Sequence, residues 1–335
     1  MTTPLRFGLI GTGRIGQVHA ASIAASPDAV LSRVADPFVE GAHAVAARYG
    51  GTVTDDAEEI FASGEVDAVL IASPTPTHID LIAQAIDAGI PVLCEKPIDL
   101  DIARVDALRP RVAAAGVPVA LGFNRRFDPA FASVRARVAA GEIGELEQLS
   151  IVSRDPAAPP AAYVAVSGGI FRDMTIHDFD MARFFLPEIV EVSATGSRTF
   201  DEGAREHGDF DTAVTVLRAA SGAIATITNS RHSAYGYDQR LEAFGSTGLL
   251  QVANAGTSLV SLSTADAVEA RPRYQDFFLE RYALAYAAEL AEFVKLVRGE
   301  ASASPTFEDG RAALVLADAA QRSASEGVTV AVDLR

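Results

Sequence analysis

Acidic side chains and a histidine interrupt an apolar stretch at residues 168–184, which reads GGIFRDMTIHDFDMARF. The pattern predicts a helix, and on a helix Asp173, His177 and Asp180 share one face because their spacing is i, i+4 and i+7. Buried charges are costly unless they are paired, so we expect this face to line a cleft or to carry chemistry. The apolar residues expected on the core-facing side are Ile170, Met174 and Met181.

A glycine-rich turn follows the first apolar run, FGLIGTGRIGQVHA, in which Gly11, Gly13 and Gly16 have the spacing G-x-G-x-x-G. Gly11 permits a tight turn, Gly13 allows the backbone to approach a pyrophosphate, and Gly16 allows the following helix to pack on the strand. Arg14 and Ile15 lie at the predicted helix N-terminus, whose free N–H groups attract phosphates. We therefore expect a dinucleotide at this turn; the alternative is a glycine-rich turn that binds nothing.

Asp36 ends the next predicted strand, 20 residues after Gly16. A carboxylate at this position accepts hydrogen bonds from an adenosine ribose and repels a 2′-phosphate, which favours NAD over NADP. The competing phosphate-binding pattern, G-x-x-x-x-G-K-[ST], does not occur in the sequence. NAD is therefore the predicted cofactor.

Short apolar runs alternate with alanine-rich helical stretches over the first part of the chain. This alternation predicts an α/β Rossmann domain, with a doubly wound parallel sheet, over residues 1–122. Its helices are expected near residues 14–25, 38–49, 76–88 and 101–115.

Longer runs with strand character and few intervening helices follow. They predict an α+β domain over residues 123–335, with a large, open and mostly antiparallel sheet. The strands are expected at residues 144–154, 189–196, 211–220, 223–231, 239–245, 248–254 and 258–264. Further helices are expected near residues 128–140, 279–298 and 307–325, and a proline-rich loop at residues 155–169.

Composition excludes several classes of function. The 335 residues carry a formal net charge of −16, which disfavours binding to nucleic acid or to anionic membranes. The single cysteine, Cys94, cannot form an intrachain disulfide, which fits a reducing compartment. The N-terminus lacks a signal-peptide pattern, and no apolar run is long enough to span a membrane. We expect a cytoplasmic protein.

A second motif, PVLCEKPIDL, places Glu95, Lys96 and Pro97 directly after a buried strand, where ligands bind in an open α/β sheet. The glycine turn, SPTPTH at 73–78, EKP at 95–97 and the D-x-x-x-H spacing at 173–177 together resemble the glucose-fructose oxidoreductase / inositol dehydrogenase / rhizopine catabolism family over essentially the whole chain. The stretches GFNRRFDP, SRDPAAPP and especially SGGIFRDMTIHDFDMARF are similar to the bacterial inositol dehydrogenases of that family.

The resemblance implies an NAD-dependent oxidation of myo-inositol, or of a close cyclic polyol, to the 2-keto-inositol. Lys96 would stabilise the oxyanion that develops on the reacting hydroxyl, His177 would take its proton, and Asp173 would orient the pair. This assignment is chemically reasonable, because hydride leaves a carbinol carbon readily only as the hydroxyl proton departs. A divalent metal held by Asp173, His177 and Asp180 is the alternative, but a second histidine is missing and no metal is expected.

The family also suggests positions around the two ligands. The expected cofactor residues are Gly11, Gly13, Arg14, Ile15, Gly16, Asp36, Ser73, Thr75, His78, Glu95, Lys96 and Asn124. The expected substrate residues are Lys96, Arg125, Asp155, Asp173, His177 and Tyr235. A structural role for His78 stays open, and so does a core position for Tyr282 and Tyr286. Ser153 and Asp155 replace a histidine and an asparagine found in some inositol dehydrogenases, so they are candidates for substrate preference.

Two other functions remain alternatives. One is an aldose or other sugar dehydrogenase of the same family with the same catalytic residues. The other is a non-catalytic, dinucleotide-binding regulator, which would be expected to lack Lys96 or His177. The resemblance further implies that the second domain binds substrate and that its open sheet mediates assembly into a homotetramer.

Overall fold

The first sheet forms from short buried strands that alternate with helices. The computed structural model describes residues 3–335 and contains a parallel six-stranded sheet in the order β3-β2-β1-β4-β5-β6. Its strands are β1 Leu5–Ile10, β2 Ala29–Ala35, β3 Thr52–Thr54, β4 Ala68–Ile71, β5 Val92–Glu95 and β6 Val119–Gly122. This order has its topological switch point between β1 and β4, where α/β sheets bind dinucleotides. The predicted doubly wound Rossmann fold is confirmed.

The helices of this region agree with the predicted ranges, apart from one addition. They are α1 Arg14–Ala25, α2 Val39–Tyr49, α3 Ala57–Ala62, α4 His78–Asp87 and α5 Ile102–Ala114. The sequence analysis missed α3 and the short β3. The side chain of Asp56 caps α3 by accepting the N–H of Glu58, a start signal that was present in the sequence.

The second sheet has seven strands in the order β12-β11-β7-β10-β9-β8-β13. Only β7 and β10 pair in parallel, so the predicted mostly antiparallel sheet is confirmed. Its strands are β7 Leu146–Arg154, β8 Ile189–Ser197, β9 Thr212–Ala219, β10 Ile224–Ser230, β11 Asp238–Gly245, β12 Gly248–Val252 and β13 Val330–Ala331. Burial alternates along β9, where Ala213, Thr215 and Leu217 are buried while Val214 and Val216 are exposed.

The helices that accompany the second sheet are α6 Pro129–Ala139, α7 Ala161–Ser167, α8 Ile176–Phe185, α9 Glu202–Glu206 and α10 Phe278–Arg281. A π-helical turn, Phe171–Thr175, precedes α8. The prediction of a loop throughout 155–169 is wrong because it contains α7, which starts after Pro160 and ends at Gly168 in the left-handed region. The predicted strand at 258–264 is also wrong: those residues form one isolated bridge, Leu262 to Ala270, and much of the segment is exposed.

Two long helices complete the chain, α11 Ala283–Val297 and α12 Phe307–Glu326. Contacts divide the chain into unit 1, Met1–Phe127 with Leu284–Leu314, and unit 2, Asp128–Ala283 with Val315–Arg335. This division differs from the predicted boundary at residue 122 because α11 packs on the first sheet, where Phe293 contacts Phe7 of β1. Among the described residues, no helix has the length and apolar character needed to cross a membrane.

Candidate active site

The glycine turn between β1 and α1 has the geometry expected for a phosphate-binding loop. Gly11 has φ +96°, and a Cβ at this residue would lie 2.6 Å from the backbone of Ala72. A Cβ at Gly16 would lie 2.1 Å from the carbonyl oxygen of Gly11. Gly13, the N-cap of α1, faces open space instead. Gly11 and Gly16 therefore bring helix and strand together, and Gly13 leaves room for a ligand at the α1 N-terminus.

Asp36 lies at the end of β2 and is held by three hydrogen bonds. Its Oδ2 accepts from the backbone N–H of Thr12 at 2.8 Å and from the Thr12 hydroxyl at 2.7 Å, and its Oδ1 accepts from the Phe38 N–H at 2.9 Å. Burial by itself raises the pKa of Asp36, but these hydrogen bonds outweigh it and hold the pKa below its ordinary value. Asp36 is thus a fixed carboxylate beside the glycine turn, which fits a ribose.

The turn after β4 contains the other predicted cofactor residues, Ser73, Thr75 and His78. Ser73 and Thr75 are half-buried, whereas His78 is buried at the start of α4. The His78 ring nitrogens lie 2.8 Å from the carbonyl oxygen of Pro97 and 2.9 Å from that of Ser73. Burial lowers the pKa of His78. This geometry supports the structural alternative, in which His78 connects the turns that follow β4 and β5.

Glu95 and Lys96 lie where β5 ends. The buried carboxylate of Glu95 accepts the backbone N–H of Lys96 at 3.1 Å through Oε2, and its Oε1 lies 2.8 Å from Nε2 of His19 on α1. Glu95 therefore fixes the main chain from which the Lys96 side chain projects. The sequence analysis missed His19, although it stands three residues after Gly16 on the predicted helix.

Asn124 and Arg125 are both buried in the turn after β6. Nδ2 of Asn124 has no hydrogen-bond partner within residues 3–335. A buried donor is costly when it is left unsatisfied, so this amide is suited to a ligand acceptor such as a cofactor carboxamide.

Asp173 lies in the π-helical turn before α8, and both of its carboxylate oxygens are engaged. Tyr163 on α7 donates its hydroxyl to Oδ1 at 2.8 Å, and Arg231 donates to Oδ2 at 3.2 Å. The Arg231 side chain is only 1% exposed and donates also to Asp209 at 3.3 Å. Asp209 in turn accepts the N–H of Ile170, which precedes the π-helical turn. The sequence analysis missed Tyr163, Asp209 and Arg231.

Charge and burial reinforce this arrangement. Burial by itself lowers the pKa of Arg231, but the carboxylates of Asp173 and Asp209 outweigh it and raise the pKa above its ordinary value. Partial burial and the neighbouring Asp173 raise the pKa of Tyr163, of which 47% is exposed, so its hydroxyl remains a donor. Asp173 therefore faces two donors that stay protonated.

His177 is half-buried near the start of α8, whereas Asp178 and Asp180 are buried. Asp178 accepts from the Ser153 hydroxyl at 2.7 Å and from Nδ2 of Asn229 at 2.7 Å, which anchors α8 to β7 and β10. The face predicted to line a cleft does not extend to Asp180, which is buried although it lies one turn after the half-buried His177 in the same helix. The core-facing prediction is confirmed, since Ile170, Met174 and Met181 are buried.

The predicted substrate residues differ in accessibility. Asp155 is half-buried just after β7, and Tyr235 is 44% exposed, with its hydroxyl bonded to Arg154 and Asp238. Ser153, by contrast, is fully buried against Asp178.

The tyrosines near α11 have core positions. Tyr282 is buried within unit 2, 3.3 Å from Oε1 of Gln239, and Tyr286 is buried within unit 1 with its ring edge to His19. No cluster of metal-ligating side chains was found among the described residues.

Comparisons with known proteins assign the family. Residues 5–123 match the sequence profile of the oxidoreductase family with an NAD-binding Rossmann fold, and residues 131–251 match that of the GFO/IDH/MocA C-terminal domain. An inositol 2-dehydrogenase of Rhizobium meliloti is 48% identical over 96% of this chain and 97% of its own length. A myo-inositol 2-dehydrogenase of Thermotoga maritima is 43% identical over 98% of this chain and 99% of its own.

Solved structures of inositol dehydrogenases have the same fold as this chain. A myo-inositol dehydrogenase from Corynebacterium glutamicum superimposes with a TM-score of 0.95 at 52% identity, covering 98% of this chain and 99% of that one. A scyllo-inositol dehydrogenase from Lactobacillus casei, with bound NAD(H) and scyllo-inositol, gives a TM-score of 0.91 at 30% identity over 98% and 99% of the two chains. The predicted NAD cofactor and enzyme class, an NAD-dependent dehydrogenase acting on CH–OH groups, are confirmed. The chain belongs to the GFO/IDH/MocA family of NAD-binding oxidoreductases.

Proposed function

We propose that this enzyme oxidises myo-inositol, or a close cyclic polyol, to the 2-keto-inositol with NAD as hydride acceptor. The observation that carries the proposal is the restraint on Asp173, whose two carboxylate oxygens accept from Tyr163 and Arg231. With both oxygens occupied, Asp173 is held in place as an orienting group, and we assign His177, on the adjacent turn, as the base. Two relatives, of 48% and 43% identity, are named as an inositol 2-dehydrogenase and a myo-inositol 2-dehydrogenase, which supports the inositol substrate.

Each of the three catalytic residues then has a distinct role. His177 takes the proton of the reacting hydroxyl, because a neutral imidazole accepts a proton near neutral pH. Lys96 donates to the hydroxyl oxygen and stabilises the negative charge that develops on it. Asp173 orients His177 and balances the positive charge that His177 acquires. When bound, NAD accepts the hydride that leaves the carbinol carbon.

The cofactor is assigned to unit 1. The N-terminus of α1 and the glycine turn bind the pyrophosphate, and Asp36 binds the adenosine ribose, in agreement with the open space at Gly13 and the fixed Asp36 carboxylate. The remaining contacts are assigned to Arg14, Ile15, Ser73, Thr75, Glu95, Lys96 and Asn124. For His78 we propose an indirect role, because its ring nitrogens face backbone carbonyls.

A polyol needs many hydrogen-bond partners, since each hydroxyl that enters the site must be satisfied. We assign such groups to Arg125 of unit 1 and to Asp155 and Tyr235 of unit 2. Of the two positions that depart from some inositol dehydrogenases, Asp155 is the better candidate for setting the preferred isomer. Ser153 is buried and donates to Asp178, so it acts on α8 rather than on the substrate.

We also propose a homotetramer assembled through the open face of the second sheet. The side chains of Val214, Val216, Ile224 and Phe244 are exposed on that sheet in the single chain. Large exposed apolar patches are uncommon on monomers, which favours a partner at this surface. Sedimentation equilibrium would test the subunit count, and Val216→Lys is expected to lower it.

The decisive experiment follows NADH formation over a panel of myo-, scyllo- and D-chiro-inositol, glucose and xylose, with NAD and with NADP. We expect NAD-linked turnover of an inositol and a loss of about 10²- to 10⁴-fold in kcat for Lys96→Ala and for His177→Ala. His207→Ala, which changes an exposed histidine of unit 2, is the matched control and should retain activity. Turnover of aldoses alone would contradict the inositol assignment, and activity that survives Lys96→Ala would contradict the catalytic one.

A further inference from the structure

A buried cluster of ionisable groups lies below the carboxyl ends of the strands of the first sheet. It consists of His19 on α1, Glu95 at the end of β5 and Glu289 on α11. Glu289 is only 1% exposed, and neither of its carboxyl oxygens has a hydrogen-bond partner among the described residues. The catalytic roles proposed above make no use of Glu289.

The environment of Glu289 favours the neutral acid. Burial raises the pKa of Glu289 well above its ordinary value, and the nearby Glu95 carboxylate adds to the rise. Unlike Glu289, Glu95 has partners for both of its carboxylate oxygens, the His19 ring and the Lys96 N–H. Glu95 is also packed closely against β6, since a Cβ added at Gly122 would lie 3.1 Å from Oε2 of Glu95. A second carboxylate charge, on Glu289, would repel the Glu95 charge and has no hydrogen-bond partner among the described residues to offset the repulsion.

The fold predicts which half of the cofactor faces this cluster. In a sheet of this order a dinucleotide spans the switch point between β1 and β4, one mononucleotide on each side. Asp36, at the end of β2, assigns the adenosine half to the β2 side. The nicotinamide half therefore extends toward the ends of β4, β5 and β6, and Glu95 is the last residue of β5. The oxidised nicotinamide ring carries a positive charge that the reduced ring lacks.

We propose that Glu289 holds a proton in the free enzyme and releases it when the oxidised cofactor binds, so that Glu95 and Glu289 together balance the positive nicotinamide. The O–H bond of the Glu289 carboxylic acid breaks, the proton passes to solvent, and a carboxylate remains. The reduced cofactor brings no positive ring and leaves Glu289 protonated. Of the proposed function, this inference requires only the NAD assignment and is independent of the substrate.

Other titratable groups surround Glu95 and Glu289, and the test must distinguish their protons from that of Glu289. His19 faces Glu95 from α1, and Tyr286 contacts the His19 ring from α11. Cys94 precedes Glu95 on β5, and burial followed by the Glu95 charge raises the pKa of its thiol. His78 on α4 senses Glu95 electrostatically, but burial lowers its pKa. A substitution at Glu289 leaves the side chains of these groups in place, and the comparison of NAD⁺ with NADH in the same variant controls for their own titration.

The test is titration calorimetry of the intact enzyme with NAD⁺ and with NADH near neutral pH, in buffers of different ionisation enthalpy. We expect NAD⁺ to release up to about one proton per site more than NADH does. The affinity for NAD⁺ relative to NADH should therefore rise with pH, by at most about tenfold per unit. Both effects should disappear in Glu289→Gln, whose amide cannot ionise.

Glu292→Gln is the matched control, because Glu292 lies on the same helix but bonds to Lys295 near the surface. It should retain the proton release. Equal proton release with NAD⁺ and NADH in the wild-type enzyme would overturn the inference, even if Glu289→Gln failed to fold. Release that persists in a folded Glu289→Gln variant would overturn it too. If neither cofactor bound, the proposed function would fail instead.

Discussion

The two units each bury a cluster of charged groups, and they balance the charge differently. In unit 2 the guanidinium of Arg231 lies between the carboxylates of Asp173 and Asp209, so charge is balanced by a fixed cation. In unit 1 the carboxyl of Glu289 has no hydrogen-bond partner among the described residues, and burial favours a proton on the acid instead. A permanent charge holds one geometry at every physiological pH, whereas a proton can leave when a ligand changes the local field.

The contrast fits the task of each unit. The role proposed for Asp173 is to orient a base in one position during the reaction, and preorganised charges suit that purpose. A cofactor that alternates between a positive and a neutral ring suits a pocket whose own charge can change. Four measurements can break or sharpen this comparison.

Removing the guanidinium from unit 2 should have the largest effect. Arg231→Met removes the guanidinium that the half-buried Asp173 and the buried Asp209 share, and we expect the free energy of unfolding to fall by about 3–5 kcal/mol. Urea unfolding would measure the loss. Arg218→Met is the control, because its ion pair with Glu191 is exposed and is expected to contribute little to stability. A loss no larger than that of the control would mean that the cluster does not depend on the fixed cation.

Asp211 tests whether hydrogen bonds can replace a cation for a buried carboxylate of unit 2. Burial by itself raises its pKa, but hydrogen bonds from the Asp201 and Phe200 N–H groups and from Thr199 lower it from 3.8 to about 2. The charged form therefore contributes about 2 kcal/mol at neutral pH. Asp211→Asn should lose that amount.

The pH dependence gives the sign of this effect. The contribution is complete above the unfolded pKa of 3.8 and disappears as the pH falls toward about 2. The difference between wild type and Asp211→Asn in urea unfolding should therefore shrink over that window. Asp333→Asn, at an exposed position, is the control and should show no such trend. A difference that is independent of pH would contradict the ionic origin.

In unit 1, Glu289 should affect the pH dependence of stability in the direction opposite to that of Asp211. The folded protein binds this proton above pH 4.5, where the unfolded chain releases it, so stability falls as the pH rises. The variant escapes this penalty and should gain on the wild type by up to about 1.4 kcal/mol per pH unit, starting above pH 4.5. Unfolding curves from pH 5 upward would check this gain. Glu292→Gln should show no gain, and a similar gain there would point to a general surface effect.

The smallest expected effect concerns the neutral donor to Asp173. Tyr163→Phe removes one hydrogen bond, worth about 1 kcal/mol, while Arg231 remains in place. We expect about a fivefold lower kcat with an unchanged KM for NAD. Tyr49→Phe, on α2 of unit 1, serves as the control. The comparison variant is Arg231→Lys, which keeps a cation but removes the guanidinium. A larger loss of kcat in Tyr163→Phe than in Arg231→Lys would mean that the hydroxyl, not the guanidinium, sets the position of Asp173.

Local patterns predicted most of the elements. The helix expected at 14–25 is Arg14–Ala25, and the strands of both sheets lie close to their predicted ranges, because continuous or alternating apolar runs bounded by glycine report burial directly. The strand expected at 258–264 was wrong because its apolar run suggested burial that the fold does not provide. Leu259 and Val260 are apolar, but they lie outside both sheets and are exposed.

The candidate site was only partly predictable. Gly11, Asp36, Lys96, Asp173 and His177 stand in short motifs whose spacing has chemical meaning. Their supporting residues do not: Arg231 is 58 residues from Asp173, and Glu95 is 76 residues from His19. Nothing local in the chain identifies either partner, because the pairs form only when strands and helices pack.

The sequence by itself therefore determined the parallel sheet and its glycine turn and supplied the candidate catalytic motifs, since each depends on residues that are neighbours in the chain. Tertiary structure alone decided which charges are balanced and how. It placed Arg231 against Asp173 and left Glu289 without a hydrogen-bond partner among the described residues. The physical reason is that desolvation and Coulomb energies depend on burial and distance, which sequence separation does not report.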